Sequence, residues 1–266
     1  MSNNYKMCKM LKKLILVFLT FLLISFANAK DNFVFGLGMS VLSTPAYIGS
    51  EKQNLTILPF PYIEYTGEYF SIDRDKIYNE FYNTEKMQLE LSLRGMLPSK
   101  SEDTARVGMP DLDAMAEIGP KLTYNLFAKH DSKINLEIPI RAAFSVGDNL
   151  FEYQGYFSSL DLNYENYIFS NFKINYVTGF GFSDKRINNY YYEVDSKYVN
   201  ANRSEYHSKS GYSDFHNTFS ITKKENSFWY GAFIKHYYLD SAVYEDSPLV
   251  ETKSSIFSGL AFSYLF

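Results

Sequence analysis

The sequence predicts an all-β fold, a closed antiparallel transmembrane β-barrel of the bacterial outer membrane. Long segments alternate apolar and polar residues with period two, and 24 tyrosines and 23 phenylalanines accompany a single tryptophan. The final segment is itself a strand-like ribbon that ends on Phe266. Because successive side chains of a strand face opposite sides, a closed barrel can place one face in lipid and the other in a polar lumen without a free edge. Aromatic girdles at the two membrane interfaces would account for the many rings.

The alternating segments are long enough to cross a membrane. In Glu85–Leu97, Met87 and three leucines share one face, opposite Gln88 and charged residues. Such runs exceed the roughly 5–6 residues of a strand in a globular protein and match the roughly 9–11 of a tilted membrane strand. The predicted strands are Phe33–Leu42, Asn54–Tyr65, two halves of Glu68–Tyr82, Glu85–Leu97, Ala114–Phe127, Lys133–Val146, Tyr153–Phe169, Asn171–Ser183, Gly211–Thr222, Ser227–Leu239 and Ser254–Phe266.

The strand number follows from parity. Bacterial barrels usually have an even number of strands with both chain ends in the periplasm. Dividing Glu68–Tyr82 at Asp73–Lys76 gives twelve strands, and leaving it whole with Phe33–Leu42 placed elsewhere gives ten as the alternative. With twelve, the long polar connections all face outward and the short ones lie in the periplasm. The long connections are Pro45–Gln53, Pro98–Asp113, Asp184–Ser210 and Asp240–Lys253, and the short ones include Thr66-Gly67, Ser170-Asn171 and Lys224-Glu225. Pro120 and Pro139 fall within predicted strands, where each removes a ladder hydrogen bond and favours a bulge.

The first 29 residues have the pattern of a cleaved secretory signal peptide. Four lysines precede an apolar run from Leu14 to Ala27, which ends in the small-residue cleavage pattern Ala27-Asn28-Ala29. That run is shorter than the roughly 20 residues of a membrane-spanning helix. The sequence therefore predicts export, with residues 30–266 forming a single barrel domain.

Charge and composition exclude several functions for the exported chain. Without the four lysines of the leader, 22 basic residues remain against 30 acidic ones, a net charge of −8 that disfavours nucleic acid as a partner. The only cysteine, Cys8, lies in the leader, so neither disulfides nor thiolate chemistry are expected.

No catalytic, metal or cofactor site is predicted. The four histidines have no metal-binding spacing, and no cofactor motif is present. The nearest candidates for a hydrolase site are Phe215-His216-Asn217-Thr218 and His207-Ser208, yet the ordered signature of a serine hydrolase is missing. A lipid-modifying enzyme is accordingly the least favoured function.

Two groups of residues are candidates for roles in the barrel. Glu90 and Arg94 share one strand face, and Glu137 and Arg141 share another, in each case opposite the aliphatic row. An unpaired Arg on the lipid side costs about 2–4 kcal/mol at mid-bilayer, so these four charges are expected in the lumen. The second group is the C-terminal signal for the barrel-assembly machinery, formed by Phe262, Tyr264 and Phe266.

Several short motifs, in order along the chain, resemble the MipA/OmpV family of outer-membrane proteins. They are Gly36-Leu37-Gly38, Pro45-Ala46-Tyr47-Ile48-Gly49-Ser50, Leu58-Pro59-Phe60-Pro61-Tyr62-Ile63-Glu64-Tyr65 followed by Gly67 and Tyr69-Phe70, Tyr190-Tyr191-Tyr192-Glu193-Val194, and Asp246-Ser247-Pro248-Leu249-Val250. From their turn chemistry, Pro45, Tyr47, Gly49, Ser50, Pro59, Pro61, Ser247 and Pro248 are interpreted as architectural turn and anchor residues.

The resemblance implies a non-catalytic scaffold that links a lytic transglycosylase to a penicillin-binding murein synthase. A narrow channel for small solutes, or a surface barrel for adhesion or osmotic adaptation, are the alternatives. Outer-membrane lipid and lipopolysaccharide would surround the protein in each case.

Overall fold

The computed structural model describes residues 32–66, 70–73, 76–147, 150–169 and 172–266, and the predicted signal peptide lies outside them. These residues form an all-β, antiparallel fold, as the sequence predicts. The strands are β1 (Asn32–Pro45), β2 (Gln53–Thr66), β3 (Phe70–Asp73), β4 (Lys76–Asn83), β5 (Met87–Met96), β6 (Ala114–Lys129), β7 (Ser132–Val146), β8 (Leu150–Ile168), β9 (Phe172–Ser183), β10 (Gly211–Glu225), β11 (Phe228–Tyr238) and β12 (Ser254–Leu265).

Every strand pairs with its neighbours in the sequence, and β1 also pairs with β12. The ladder between β1 and β12 runs from Gly36 opposite Leu265 to Ser43 opposite Ser258. The ladders are long except around β3 and β4. Among the described residues, Tyr65 and Thr66 are the only ones of β2 that pair with β3, and the β3–β4 pair ends at Asp73 opposite Lys76.

Two local predictions are wrong. Lys224 and Glu225 are the last residues of β10 rather than a turn, because Asn226 adopts the positive φ of 52° that the reversal needs. Pro120 and Pro139 cause no bulge: the β6–β7 register is the same before and after them, and its shift lies between Asn125 and Phe127. A strand can skip a hydrogen bond without inserting a residue, so the missing donors alone did not require a bulge.

The two ends of the fold differ. Short turns at His130 and Asn226 lie at one end, here called the turn end; of the other predicted turns, Gly67 and Ser170-Asn171 lie outside the described residues. Long connections occupy the other end, here called the loop end, and include α1 (Lys185–Tyr192) and a single 3₁₀ turn at Ser196–Tyr198. Asp184 caps α1 by accepting a hydrogen bond from the backbone N–H of Ile187. No helix among the described residues is long and apolar enough to cross a membrane.

Candidate functional site

The outward face of the strands is a belt of exposed apolar side chains. On β12, Leu260 is 64% exposed and the predicted assembly-signal residues Phe262, Tyr264 and Phe266 are 41%, 43% and 74% exposed, whereas Ser263 between them is buried. The same alternation recurs round the sheet, at Leu37, Met39, Val41, Leu55, Ile57, Leu89, Leu91, Leu93, Ile138, Ile140, Phe180, Phe219 and Ile234. A continuous apolar surface of this kind requires a hydrocarbon environment.

Glu117 on β6 is the centre of an ion-pair network on the inward face. Its side chain is fully buried and accepts from Arg94 of β5 at 2.6 Å and from Arg141 of β7 at 3.2 Å. Arg141 also donates to the Ser92 hydroxyl at 2.9 Å, and the Arg94 guanidinium lies over the ring of Phe157. Three neighbouring strands are thus tied together by one carboxylate and two guanidinium groups.

Lys121, also on β6, forms a second centre nearer the turn end. Its Nζ atom lies 2.7 Å from Glu90 on β5 and 3.2 Å from Glu137 on β7. Thr123 donates to Glu90, and Asn163 of β8 donates to Glu137 at 2.7 Å. The four charges expected in the lumen therefore all face inward, and each is paired through β6 rather than within its own strand.

His216 on β10 extends the polar lining to β8 and β9. Its Nδ1 atom lies 2.7 Å from Asp214, and its Nε2 atom lies 3.1 Å from Asp161. Since each ring nitrogen faces a carboxylate oxygen, the geometry fits an imidazolium that donates on both sides. Gly179 and Gly181 of β9 pack against this cluster, and a Cβ atom on either glycine would collide with an aspartate side chain. These glycines make room for charged side chains.

The arrangement of the histidines does not form a hydrolase site among the described residues. Both nitrogens of His216 are taken by aspartates, and the nearby Ser159 and Ser213 hydroxyls donate to those aspartates instead. His236 lies 2.8 Å from the Ser254 hydroxyl, but no acid of the described residues orients its other nitrogen. No cluster of His, Cys, Asp and Glu in the same residues could hold a metal ion.

The long connections fold into a compact cap over the inward face at the loop end. Tyr192 of α1 stacks on Tyr244 with ring centroids 3.9 Å apart, and Tyr47 packs edge-on against Tyr192. The cap joins the strands through Tyr237, and the Tyr244 hydroxyl donates to the backbone of Ser213. The buried apolar residues of this core are Ala46, Tyr47, Ile48, Leu112, Met115, Ala143, Ile187, Tyr191, Tyr192, Tyr237, Leu239, Ala242 and Tyr244.

Three of the predicted motifs meet in this cap. The Tyr47 hydroxyl donates to the carbonyl of Leu249 at 2.7 Å, and the Ser247 hydroxyl donates to the carbonyl of Tyr192 at 2.7 Å. Gly49, at a φ of 95°, donates to the Ser255 hydroxyl. These side chains therefore connect loops that are up to about two hundred residues apart.

The remaining motif residues divide between the cap and a strand. Ser50 donates to Glu251 at 2.9 Å, Pro45 ends β1, and Pro248 follows Ser247 in the cap. Pro59 and Pro61 do not form a turn: both lie inside β2.

Burial perturbs the ionisable groups of the cap. Desolvation raises the pKa of Tyr190 to about 12 and raises the pKa values of Tyr191, Tyr192 and Tyr244 well above 10. Burial lowers the pKa of Arg106, which donates to the carbonyl of Tyr191 at 2.6 Å. The cap is thus a dry, hydrogen-bonded core.

Sequence reasoning missed the central members of the inner network. Glu117, Lys121, Asp161 and Asp214 were not singled out, although all four are buried or nearly so. The alternation along β6 could have identified Glu117 and Lys121. Both are an even number of residues from Met115 and Thr123, which are buried, so all four share one strand face.

An antiparallel sheet with an apolar outer belt, a charged inner lining and a turn end opposite a loop end defines the class of outer-membrane β-barrels. Within that class the chain belongs to the MipA family, since the family model described as MltA-interacting protein MipA matches residues 37–266. No curated protein matches the chain significantly.

Several solved outer-membrane proteins are similar in outline. The NanC porin is 12% identical, with a TM-score of 0.36, over 87% of this chain and 98% of that one. The COG4313 outer membrane channel from Pseudomonas putida F1 is 11% identical, with a TM-score of 0.39, over 89% and 94%. OmpT of Vibrio cholerae is 7% identical, with a TM-score of 0.37, over 91% and 99%. At these values the likenesses support no statement about what this chain binds.

Proposed function

We propose that this protein is a non-catalytic outer-membrane barrel that serves as a scaffold for a murein-processing enzyme in the periplasm. The observation that carries the proposal is the cross-linked interior: ion pairs and hydrogen bonds connect β5, β6, β7, β8 and β10, and a packed cap covers the loop end. Such a body offers a fixed platform rather than a water-filled path. The family description, which names an interaction with MltA, supplies the class of partner.

The membrane-embedded form in this proposal is a twelve-stranded closed barrel. Support comes from the β1–β12 ladder and from the apolar outer belt, which would be costly in water and favourable in lipid. The turn end then faces the periplasm and the cap faces outward, because barrel chains place short turns on the periplasmic side. Murein and the enzymes that process it lie on the periplasmic side.

The proposed contact surface is therefore the turn end. Among its exposed charged residues are Lys129 and Asp131, which flank the turn at His130. A lytic transglycosylase would bind at the turn end, and the barrel would link this enzyme to a penicillin-binding synthase. Lipid and lipopolysaccharide would contact the belt rather than the turn end.

Site-specific crosslinking tests this proposal, and the exported chain lacks cysteine, so a single introduced thiol is unambiguous. A photo-crosslinker on Asp131→Cys is expected to capture a murein transglycosylase in intact cells. The matched control is Glu102→Cys, an exposed acid in the cap. Capture from both positions, or from neither, would contradict the scaffold function at the turn end.

The packed cap disfavours the open-channel alternative. The rings of Tyr192 and Tyr244, stacked with their centroids 3.9 Å apart, belong to the buried core at the loop end. Planar bilayers containing the purified protein are expected to show no discrete conductance steps. Steps that depend on the cap sequence would instead favour a solute channel.

A further inference from the structure

A groove of about 650 Å³ lies at the loop end, beside the first turn of α1. It is lined by residues of β8 and α1 and by Ser210, which directly precedes β10. Its volume is within the range of about 300–1,000 Å³ that holds small ligands. The periplasmic contact proposed above, at the turn end, does not involve this groove.

Two cations of the groove have no acidic partner. Lys185 and Arg186 are adjacent in the first turn of α1, and both side chains are exposed. The ion pairs among the described residues include neither of them. The Arg186 guanidinium instead lies over the ring of Tyr153, 5.1 Å from its centroid. Because stacking on a ring uses the face of a guanidinium, its N–H edges stay open to an anion.

The two acids of the groove are engaged by the chain itself. Asp184 accepts from the backbone N–H groups of Ile187 at 3.1 Å and of Tyr156 at 3.2 Å, and it thereby occupies the N-terminus of α1. The Oε1 atom of Glu193 lies 2.7 Å from Nδ1 of His207. This hydrogen bond raises the pKa of His207, which favours an imidazolium that balances the carboxylate. Two unpaired cations therefore face one capping carboxylate.

Three uncharged side chains add hydrogen-bond donors to these cations. Each of their oxygens already accepts from a backbone N–H group, at 2.8 Å for Asn189, 3.0 Å for Tyr190 and 2.7 Å for Ser210. The groups that remain are the amide N–H bonds of Asn189 and two hydroxyl protons. The hydrogen bonds among the described residues use none of these donors.

Unpaired cations together with unused donors suit a ligand that only accepts hydrogen bonds. A phosphate group meets this requirement, since its charged oxygens accept from several donors and an arginine binds it through paired N–H groups. A metal ion does not, because the described residues contain no cluster of His, Cys, Asp and Glu that could hold one.

The groove borders the apolar belt. Tyr153 and Tyr156 of β8 are 39% and 46% exposed, and Phe182 of the neighbouring β9 is 43% exposed. Tyr156 also lines the groove, and Arg186 reaches from α1 to Tyr153. Aromatic side chains in such a row are typical of the membrane interface. A lipid whose chains lie on the belt would therefore bring its head group to the two cations.

We propose that this groove binds a phosphate group of a lipid in the outer leaflet. Lys185 and Arg186 pair with the phosphate, and Asn189 and Ser210 donate to its remaining oxygens. The acyl chains lie on the belt. The proposal rests on the orientation given above, in which the loop end faces outward, and it is independent of the murein partner at the turn end.

Binding of a phosphorylated lipid to the purified protein tests the proposal. The probe is lipid A, the phosphorylated anchor of lipopolysaccharide, titrated into the detergent-solubilised protein and read as the lipid-bound fraction by native mass spectrometry. The Lys185→Gln/Arg186→Gln variant is expected to bind lipid A about tenfold more weakly or worse, because charge-assisted hydrogen bonds are lost. The matched control is Lys52→Gln/Lys197→Gln, which removes two other exposed lysines of the loop end and is expected to leave binding unchanged.

A second pair of variants tests the donors. Asn189→Asp keeps the oxygen that accepts from the backbone of Ser208 but replaces the amide donor by a carboxylate oxygen, so it is expected to weaken binding. Asn202→Asp adds the same charge at another exposed position of the cap and is expected to have no effect. Heat-modifiable electrophoretic migration confirms that each variant is folded.

Two further ligands identify the source of the phosphate. Glucosamine 1-phosphate has the phosphate without acyl chains, and dephosphorylated lipid A has the chains without the phosphate. Both are expected to bind far more weakly than lipid A. Equal binding of either ligand, or equal losses in the two double variants, would overturn the proposal. Capture of a transglycosylase from position 131 does not depend on these results, so the two proposals fail separately.

Discussion

Replacement of Glu117 by glutamine tests the inner network directly. The change keeps the shape of the side chain but leaves the guanidinium groups of Arg94 and Arg141 facing each other without their shared carboxylate. Removal of one partner from a buried ion pair costs about 3–5 kcal/mol. At about 1.4 kcal/mol for each factor of ten, this corresponds to roughly two to four decades in the unfolding equilibrium constant.

The assay is urea unfolding of the protein in phosphatidylcholine vesicles, followed by the fluorescence of the single tryptophan, Trp229. The matched control is Asp103→Asn, which also removes one acid from an ion pair, but one whose aspartate side chain is 78% exposed. Exposed pairs contribute about 0–1 kcal/mol. A Glu117→Gln/Arg141→Gln double variant is expected to regain part of the loss. Equal destabilisation by Glu117→Gln and Asp103→Asn would refute the reasoning.

Three further predictions concern the belt, the glycines and the cap. Ile57→Arg, on the lipid face, is expected to cost about 2–4 kcal/mol and lower the folded yield far more than Thr56→Arg on the inward face; similar yields would mean that the strand phase is misassigned. Gly181→Ala is expected to cost about 1–3 kcal/mol in urea unfolding because its Cβ collides with the His216 cluster, whereas Gly95→Ala, whose Cβ would lie 3.7 Å from the carbonyl oxygen of Met115, serves as the neutral control. The cap is expected to loosen above pH 10: the buried tyrosines have raised pKa values, so their stabilisation is complete below the unfolded value of about 10 and is lost as the pH rises through the folded values. Tyrosinate absorbance at pH 10 that is lost in Tyr192→Phe and Tyr244→Phe variants, and therefore arises from the buried rings, would contradict this.

Most strands could be predicted from the sequence because the alternation of apolar and polar residues depends only on position along a single strand. Alternation along β5 is enough to place Leu91 outward and Glu90 inward, since a strand has only two faces. The all-β class, most strand bounds and the long loops followed from the same signal. The end of β10 before Asn226 and the absence of a bulge at Pro120 depend on local backbone geometry. The alternation of apolar and polar residues does not report that geometry.

The candidate site was harder to predict because it depends on contacts between strands. These contacts are set by which strands are neighbours and by the register at which they pair. Alternation alone predicts that Glu90 and Arg94 share one strand face, whereas their partners Lys121 and Glu117 are set by the β5–β6 register. The cap was missed for a related reason. Its tyrosines lie in polar, loop-like segments, and only long-range contacts such as Tyr47 with Leu249 show that these segments form a core.

Spin-label accessibility along β12 tests the central claim, that alternate side chains of this sheet face hydrocarbon. Single nitroxide labels at positions 260 to 264 are read for their collision rates with oxygen, which concentrates in the bilayer. Labels at Leu260, Phe262 and Tyr264 are expected to show high rates, and labels at Ala261 and Ser263 low ones. Uniform rates along the strand, or high rates at the inward positions, would contradict the account.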